Sequence, residues 1–380
     1  MKKIKIILLV FCLLVSGNFV NHKTNLKTFA LTEDSVKAEA MITIEATSKR
    51  VLYSKNENKR LPMASTTKIL TAIIAIENCD DLDKVYAIPK EAVGVEGSSI
   101  YLKDNEHLSV RELLYGLMLR SGNDAAVAIA ILISGSVENF VQLMNDKCKD
   151  LGLNNTNIVT VNGLHDDNHY TTAFDMSMIT AYALQNETFA EIVSTIEIKI
   201  NNEFDKKNNC RFLKNKNKLL KLVKGADGVK TGYTKKAGKC FVGSATRGKM
   251  KVVCVVLNSS TMFEECAELI EKAFSEFKMI KLMSKGVISE TKARGGKTQK
   301  VPILIKNDVF YPLKNEEILK ITAKLCLTGE LNAPIYENNE IGTIDFKCQN
   351  DLIFSIKIYT INIEKSESVK DYIGKIIKAF

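Results

Sequence analysis

The chain has 380 residues, of which 46% are apolar and 26% charged, and its formal net charge is +9. This length and composition exclude a disordered chain and allow two folded domains with sizeable cores. The positive charge is spread along the sequence and no basic run is interleaved with aromatic residues, so we do not predict nucleic-acid binding.

Residues 1–30 have the pattern of a secretory signal peptide. A basic head, MKKIK, precedes an apolar run over residues 6–15, which is shorter than the ~20 residues that a spanning helix needs. The alternative is an uncleaved amphiphilic anchor. We therefore expect an exported protein at the outer face of the cytoplasmic membrane or in the cell wall. Its positive charge would suit anionic membrane or wall polymers there, although a lysine-rich background explains the charge equally well.

The next part of the chain, residues 31–281, alternates strand and helix signals. AMITIEATSKRVLYSKN predicts a hairpin, and STTKILTAIIAIEN predicts a helix that is apolar all round and hence buried. SVRELLYGLMLRSGNDAAVAIAILIS predicts two helices with a break at residues 121–123, and further helices are expected at 137–151, 173–184 and 263–283. Strands are predicted over residues 227–259. Strands at both ends with helices between them indicate an α+β fold, an antiparallel sheet covered by helices.

The sequence pattern changes after residue 281. Residues 282–363 contain short alternating strand patterns without helices, which predict a small all-β C-terminal domain. Residues 364–380 predict a short amphipathic helix with cationic sides, which we expect to associate peripherally with the membrane. The alternative is a last helix packed on the β-domain. An apolar stripe carries this prediction: Val369, Tyr372, Ile373, Ile376, Ile377 and Phe380.

The cysteines and histidines do not form a metal motif. Eight cysteines follow the signal region without a Cys-x-x-Cys pair or a Cys/His cluster, so we expect buried free thiols, with disulfides possible. His165 and His169 lie in HDDNH, which we do not interpret as a helical metal frame, and we expect both to be structural. We predict no metal and no cofactor.

A serine and a lysine stand one helical turn apart in LPMASTTKIL. Ser65 near a helix N-terminus and Lys68 in an apolar setting form a chemically sensible nucleophile and base, because burial favours the neutral amine. The same spacing recurs at Ser275 and Lys278, which we place on the solvated side of the 263–283 helix. The pair alone does not distinguish catalysis from a helix cap.

Two further motifs decide between these interpretations. Ser121-Gly122-Asn123 follows Ser65 at the helix break, and Lys230-Thr231-Gly232 follows on a predicted strand. This ordered trio is the signature of penicillin-binding proteins and class A β-lactamases. With blocks such as NGLHDDNHYTTAFDM and GADGVKTGYTKKAGKCFVGSATR, residues 35–280 resemble the low-molecular-mass penicillin-binding proteins, the serine-type D-Ala-D-Ala carboxypeptidases. The β-rich region resembles that family's C-terminal domain more loosely.

The resemblance implies a role for each motif residue. Ser65 would attack the carbonyl between two D-alanines of a peptidoglycan stem peptide, Lys68 would take its proton, and β-lactams would acylate the same serine. Ser121 would complete the proton route. The sequence leaves open whether Lys68 or Lys230 is the base. Substrate binding would fall to Asn123, Lys230, Thr231, Gly232 and Tyr233.

Two rival functions and the role of one lysine remain open at this stage. A class A β-lactamase would need a Glu-x-x-x-Asn loop, and no such block stands in the right place. A non-catalytic wall-binding protein would not need the intact trio. Lys216 is expected to be a surface lysine, although it could add a cation for the substrate carboxylate.

Overall fold

A computed structural model describes residues 36–298, 300–366 and 373 of the chain. The predicted signal peptide and nearly all of the predicted C-terminal helix lie outside the described residues. The chain divides into two compact units, one ending at Glu276 and one beginning at Phe277.

The first unit is built on a five-stranded antiparallel sheet in the order β2-β1-β9-β8-β7. The hairpin predicted at the start of the unit forms β1 and β2, and the run KVVCVVL forms the central strand, in which every residue after Lys251 is buried. Strand β7 lies at the edge of the sheet, so one side of its backbone is free of a strand partner. The strands are β1 (Ala40–Glu45), β2 (Val51–Lys55), β7 (Ala226–Thr234), β8 (Gly238–Arg247) and β9 (Met250–Leu257).

Helices cover this sheet, as the strand and helix pattern predicts. Helix α1 is enclosed by the others, and eight of its ten residues are buried, in agreement with its apolar circumference. The helices are α1 (Lys68–Glu77), α2 (Val110–Leu119), α3 (Asn123–Ser134), α4 (Val137–Asp150), α5 (Ala173–Ala183), α6 (Glu187–Ser194), α7 (Leu219–Leu222) and α8 (Met262–Glu276).

Side-chain caps fix where several of these helices begin. Ser109 and Glu112 form a reciprocal capping box at α2, and the side chains of Ser136 and Thr172 accept backbone N–H groups at the starts of α4 and α5. Each such cap typically stabilises a helix by ~1 kcal/mol. The cap at Ser136, directly after Gly135 in a left-handed conformation, therefore explains why α3 ends and α4 begins there.

Two short hairpins complete the first unit and were not predicted from the sequence. One pairs β3 (Val85–Ala87) with β4 (His107–Ser109), and the other pairs β5 (Glu197–Asn201) with β6 (Cys210–Lys214). Strands β3 and β4 have three residues each, β6 does not alternate, and the alternating EIKIN of β5 is only five residues long, so none of them gives a strong strand signal.

The helix predicted over residues 263–283 is too long. Helix α8 ends at Glu276, and residues Phe277–Met283 form strand β10, which pairs antiparallel with β14 (Val309–Lys314). Pairing with a distant partner strand, from Phe277 with Lys314 to Met283 with Val309, overrides the local helix propensity of lysine, methionine and leucine. Lys278 consequently lies on a strand and not on the helix of Ser275, so the second Ser-x-x-Lys spacing is not a helical pair.

The second unit is the all-β region predicted from the sequence. Its five-stranded sheet has the order β11-β13-β18-β17-β15, beside the β10–β14 pair and a parallel β12–β16 pair. Stacked rings of Tyr311, Phe354 and Phe346, with centroids 4.2 and 4.6 Å apart, help to form its core. The strands are β10 (Phe277–Met283), β11 (Gly286–Thr291), β12 (Ala293–Arg294), β13 (Val301–Ile305), β14 (Val309–Lys314), β15 (Ile321–Leu327), β16 (Leu331–Asn332), β17 (Glu340–Cys348) and β18 (Asp351–Tyr359).

Two further observations concern cysteines and membrane spans. All eight cysteines in the described part of the chain are free thiols, and four of them are buried: Cys148, Cys240, Cys254 and Cys266.

No single helix among the described residues is long and apolar enough to cross a membrane. The consecutive helices α3 and α4 reach that length and composition only together, across a bend of 86°.

Candidate active site

Ser65 lies in a 3-10 turn, Ala64–Thr67, that leads directly into α1. The helix therefore begins at Lys68 and not at Ser65. Ala64 has a φ of +48°, a left-handed conformation that is unfavourable for alanine. Gly163, with a φ of +83°, packs so closely on this turn that a Cβ atom would meet the Ala64 carbonyl oxygen at 2.1 Å. The turn is thus held in a strained shape by the segment around residue 163.

Lys68 is fully buried and its Nζ atom has three partners. It lies 3.0 Å from Ser65 Oγ and 2.7 Å from Asn123 Oδ1, and it donates to the backbone carbonyl of Asn162. Asn123 Nδ2 donates to the Glu96 carbonyl at 2.6 Å, which orients the Asn123 amide with its oxygen toward Lys68.

Burial lowers the pKa of Lys68 well below its usual value, and the charges of Lys230 and Lys216 lower it further. The nearby Asp124 carboxylate acts in the opposite direction and raises this pKa. A neutral amine has two N–H donors and one lone pair. The Asn123 oxygen and the Asn162 carbonyl can only accept, so they take both N–H groups. In that neutral form the lone pair would face the Ser65 hydroxyl, which is the geometry that a general base requires.

The helix break carries the second motif. Ser121 is buried and has a φ of +64°, a strained conformation in the turn that precedes α3. Asn123 is the first residue of α3, and its backbone N–H donates to the Ser98 carbonyl at 2.6 Å. The Asp124 carboxylate accepts from the backbone N–H of Ile100 at 3.1 Å, so this break also fixes the neighbouring loop.

The third motif lies on edge strand β7. Gly232 packs against the nucleophile turn: a Cβ atom there would lie 3.0 Å from the Ser65 backbone nitrogen and 3.1 Å from that of Thr66. Only glycine lets the strand approach this closely. Thr231 and Tyr233 flank Gly232, and the Tyr233 side chain is 65% exposed.

Lys230 is almost fully buried on the same strand, and its Nζ atom donates to the Thr231 carbonyl at 2.9 Å. Burial, aided by the charge of Lys216, lowers the pKa of Lys230 to about 7. An amine with this pKa gains a proton readily when an anion binds beside it.

Lys216 is exposed at the rim, as expected for a surface lysine, but it is not remote from the site. Its Nζ atom lies 3.4 Å from Ser98 Oγ, and its charge lowers the pKa values of both Lys68 and Lys230. The structure therefore favours the alternative in which Lys216 adds positive charge beside the cleft.

The structure brings most of the motif residues together. Ser65, Lys68 and Asn123 are joined by hydrogen bonds, and Gly232 contacts the turn of Ser65. The remaining ones, Ser121, Lys230, Thr231 and Tyr233, lie within two residues of these contacts along the chain. Asn162 contributes only its backbone carbonyl, which leaves no signal in the sequence, and Glu96 likewise acts through its carbonyl.

His165 and His169 do not share a site. His165 lies 3.4 Å from Asp167 at the surface, whereas His169 is buried and hydrogen-bonds to Thr67. Among the described residues, His, Cys, Asp and Glu side chains do not gather in groups of three that could hold a metal ion.

A half-buried serine beside a fully buried lysine, under the edge strand of a helix-covered antiparallel sheet, is the arrangement of the penicillin-binding protein and class A β-lactamase group. Residues 27–261 match the D-alanyl-D-alanine carboxypeptidase family, and residues 277–365 match the C-terminal domain of penicillin-binding protein 5. The chain belongs to the D-alanyl-D-alanine carboxypeptidase family and is a serine-type carboxypeptidase.

Individual relatives align with this chain over most of their own length. The chain is 34% identical over 327 residues to the D-alanyl-D-alanine carboxypeptidase DacF of Bacillus subtilis, covering 83% of each chain. It is 30% identical to DacA of Escherichia coli, covering 87% of this chain and 84% of the relative. Penicillin binding protein 5 from Haemophilus influenzae superposes with a TM-score of 0.75 at 28% identity, covering 87% of this chain and 98% of that one.

Proposed function

We propose that the enzyme removes the terminal D-alanine from peptidoglycan stem pentapeptides through an acyl-enzyme on Ser65. The carrying observation is the coordination of Lys68, whose Nζ atom lies 3.0 Å from Ser65 Oγ and has two other partners that can only accept; in the neutral amine these acceptors would take both N–H groups and leave the lone pair for the Ser65 hydroxyl. The comparisons support the reaction class, and this geometry supports the assignment of roles.

In the first step, Ser65 Oγ attacks the carbonyl carbon of the penultimate D-alanine and its proton passes to Lys68 Nζ. The backbone N–H groups of Ser65 and Tyr233 would bind the oxyanion, since the close approach at Gly232 places β7 beside the turn. The free edge of β7 would pair with the extended peptide. Lys230 and Thr231 would bind the terminal carboxylate.

In the second step, the C–N bond breaks and the terminal D-alanine leaves with the proton held by Lys68, relayed through the Ser121 hydroxyl. A water molecule then attacks the ester carbonyl carbon, and Lys68 takes a proton from that water. Ser65 Oγ departs with this proton, which restores the hydroxyl and the neutral amine.

A β-lactam would enter by the same attack. Its ring C–N bond opens, but the nitrogen stays tethered to the acyl group, so no leaving group makes room for water. In the described part of the chain no side-chain carboxylate hydrogen-bonds to Ser65 or Lys68. A carboxylate that activates water for rapid turnover is the requirement of the β-lactamase alternative, so this observation supports slow release of the adduct.

We also propose that the enzyme is exported and is held at the membrane by residues 364–380. The support is in the sequence: a basic head with a short apolar run at the start, and an amphipathic stripe with lysines at the end. A chain lacking residues 366–380 should lose salt-sensitive binding to anionic vesicles but keep activity on a diacyl peptide. Equal vesicle binding by both forms would contradict this proposal.

Mass spectrometry of a muropeptide digest tests the proposed reaction. The purified enzyme should shorten pentapeptides by one D-alanine and leave tetrapeptides unchanged. Pentapeptides that stay intact with the wild-type enzyme would contradict the reaction. Nitrocefin provides the companion test, because rapid multiple turnover would favour a β-lactamase over slow acylation.

A further inference from the structure

His169 connects the two segments that hold the Ser65–Lys68 pair. On one side, its Nδ1 atom accepts the backbone N–H groups of Val159 at 3.0 Å and of Thr160 at 3.3 Å. On the other side, its Nε2 atom lies 2.8 Å from Thr67 Oγ1. The imidazole is almost fully buried, at 2% exposure.

These partners determine where the imidazole proton lies. Two N–H donors point at Nδ1, so this nitrogen must be the acceptor, and the single proton of the neutral ring is on Nε2. Nε2–H therefore donates to Thr67 Oγ1. The Thr67 hydroxyl in turn donates to the Ala64 carbonyl oxygen at 2.8 Å. The chain of hydrogen bonds thus has one direction, from the 159–160 backbone through the ring to Ala64.

Both ends of this hydrogen-bond chain lie next to residues that position the nucleophile. Ala64 precedes Ser65, and its left-handed backbone conformation requires external support. The segment at 159–160 leads to Asn162, whose carbonyl accepts from Lys68. Movement of either end would change the distance between Ser65 Oγ and the Lys68 lone pair.

We propose that His169, acting through the Thr67 hydroxyl, is a positioning residue that holds Ser65 in line with the Lys68 amine. This inference rests on the proposed role of Ser65 as nucleophile. His169 touches neither reacting atom, so its effect is on the geometry of attack. Neighbouring bridges, Leu61 with Thr171 and Asn157 with Tyr170, fix the backbone beside it independently.

A pair of substitutions at Thr67 isolates the hydroxyl. Thr67→Val keeps the shape but removes both hydrogen bonds, whereas Thr67→Ser keeps both. Thr180→Val is the matched control, because Thr180 is equally buried and its hydroxyl donates to the Met176 carbonyl on α5 at 2.7 Å. The measurements are the acylation rate constant and the non-covalent dissociation constant for a fluorescent penicillin, with the melting temperature of each variant.

We expect Thr67→Val to lower the acylation rate constant about tenfold or more, with the dissociation constant changed less than about twofold. Thr67→Ser should restore the rate, and Thr180→Val should lower the melting temperature without slowing acylation. Wild-type acylation by Thr67→Val, equal slowing by Thr180→Val, or no rescue by Thr67→Ser would overturn the proposal.

Nitrogen-15 spectra of His169 provide a test that does not need Ser65 to be the nucleophile. The ring should be neutral with its proton on Nε2 down to pH 5, since its pKa is lowered to about 4. Burial is the main cause, the charges of His165 and Lys68 lower the pKa further, and Asp166 raises it. A ring protonated on Nδ1 at pH 6 would overturn the hydrogen-bond direction and the proposal. If this spectrum is as expected but wild-type protein is not acylated at Ser65, the proposed function fails and the hydrogen-bond chain stands.

Discussion

Asn123→Asp would change the proton affinity of Lys68 while keeping the side chain's size. The Asn123 oxygen lies 2.7 Å from Lys68 Nζ, and the lysine is fully buried, so a carboxylate at this position would stabilise the ammonium. An opposite charge this close raises a lysine pKa by roughly 1–3 units, and 2 units correspond to ~3 kcal/mol. The pH at which half of the Lys68 amines are neutral should then rise by the same ~2 units.

The assay is the second-order rate constant for acylation by benzylpenicillin as a function of pH. For the wild type, the rising limb of this profile should follow the loss of the Lys68 proton, and the falling limb above about pH 7 should follow the loss of the Lys230 proton. In Asn123→Asp, this rise should move to higher pH by about 2 units. Asn123→Ala is the control, because it removes the acceptor without adding charge and should lower the rate without moving the profile upward. A lowered rate with an unmoved profile in Asn123→Asp would refute the assignment of Lys68 as the base.

Three further predictions follow from the site. Lys68→Ala should abolish acylation, with a loss of about 10²-fold or more, while circular dichroism shows an intact fold; near wild-type acylation would make Lys230 the candidate base. The kcat/KM for a peptide with a free carboxylate should fall as pH rises above about 7, because Lys230 loses the proton that attracts the anion and its pKa is lowered to about 7. A peptide with an amidated C-terminus should lack this decline, and equal profiles for both peptides would exclude Lys230 as the carboxylate site. Gly232→Ala should slow acylation about tenfold or more with little change in melting temperature. The reason is that a Cβ atom 3.0 Å from the Ser65 backbone nitrogen would push strand β7 away from the nucleophile turn. Unchanged acylation would mean that this close approach is not needed.

The sequence predicted the parts of the fold that depend on local pattern. The all-round apolar helix α1 is buried, the Ser121–Asn123 break separates α2 from α3, and the alternating β-strands form the second unit. These elements have strong periodicity or turn residues of their own, so they do not depend on a distant partner. Strand β10 does depend on one, which explains why its residues were predicted as helix.

The candidate site was predictable only where side chains carry the chemistry. The serine–lysine spacing and the two other motifs identify Ser65, Lys68 and Asn123, which the fold joins by hydrogen bonds. The carbonyl of Asn162 could not be found in this way, because every residue has a backbone carbonyl. His169 was predicted to be merely structural, since nothing near it in sequence shows that Thr67 is its partner.

Mass-spectrometric mapping of the protein after reaction with penicillin tests the central claim most directly. One adduct should appear, on the peptide that contains Ser65, and it should be absent from the Ser65→Ala variant. The peptide containing Ser275 should stay unmodified, because Ser275 and Lys278 lie on different elements. An adduct that survives Ser65→Ala, or one found on another serine of the wild-type protein, would contradict the account.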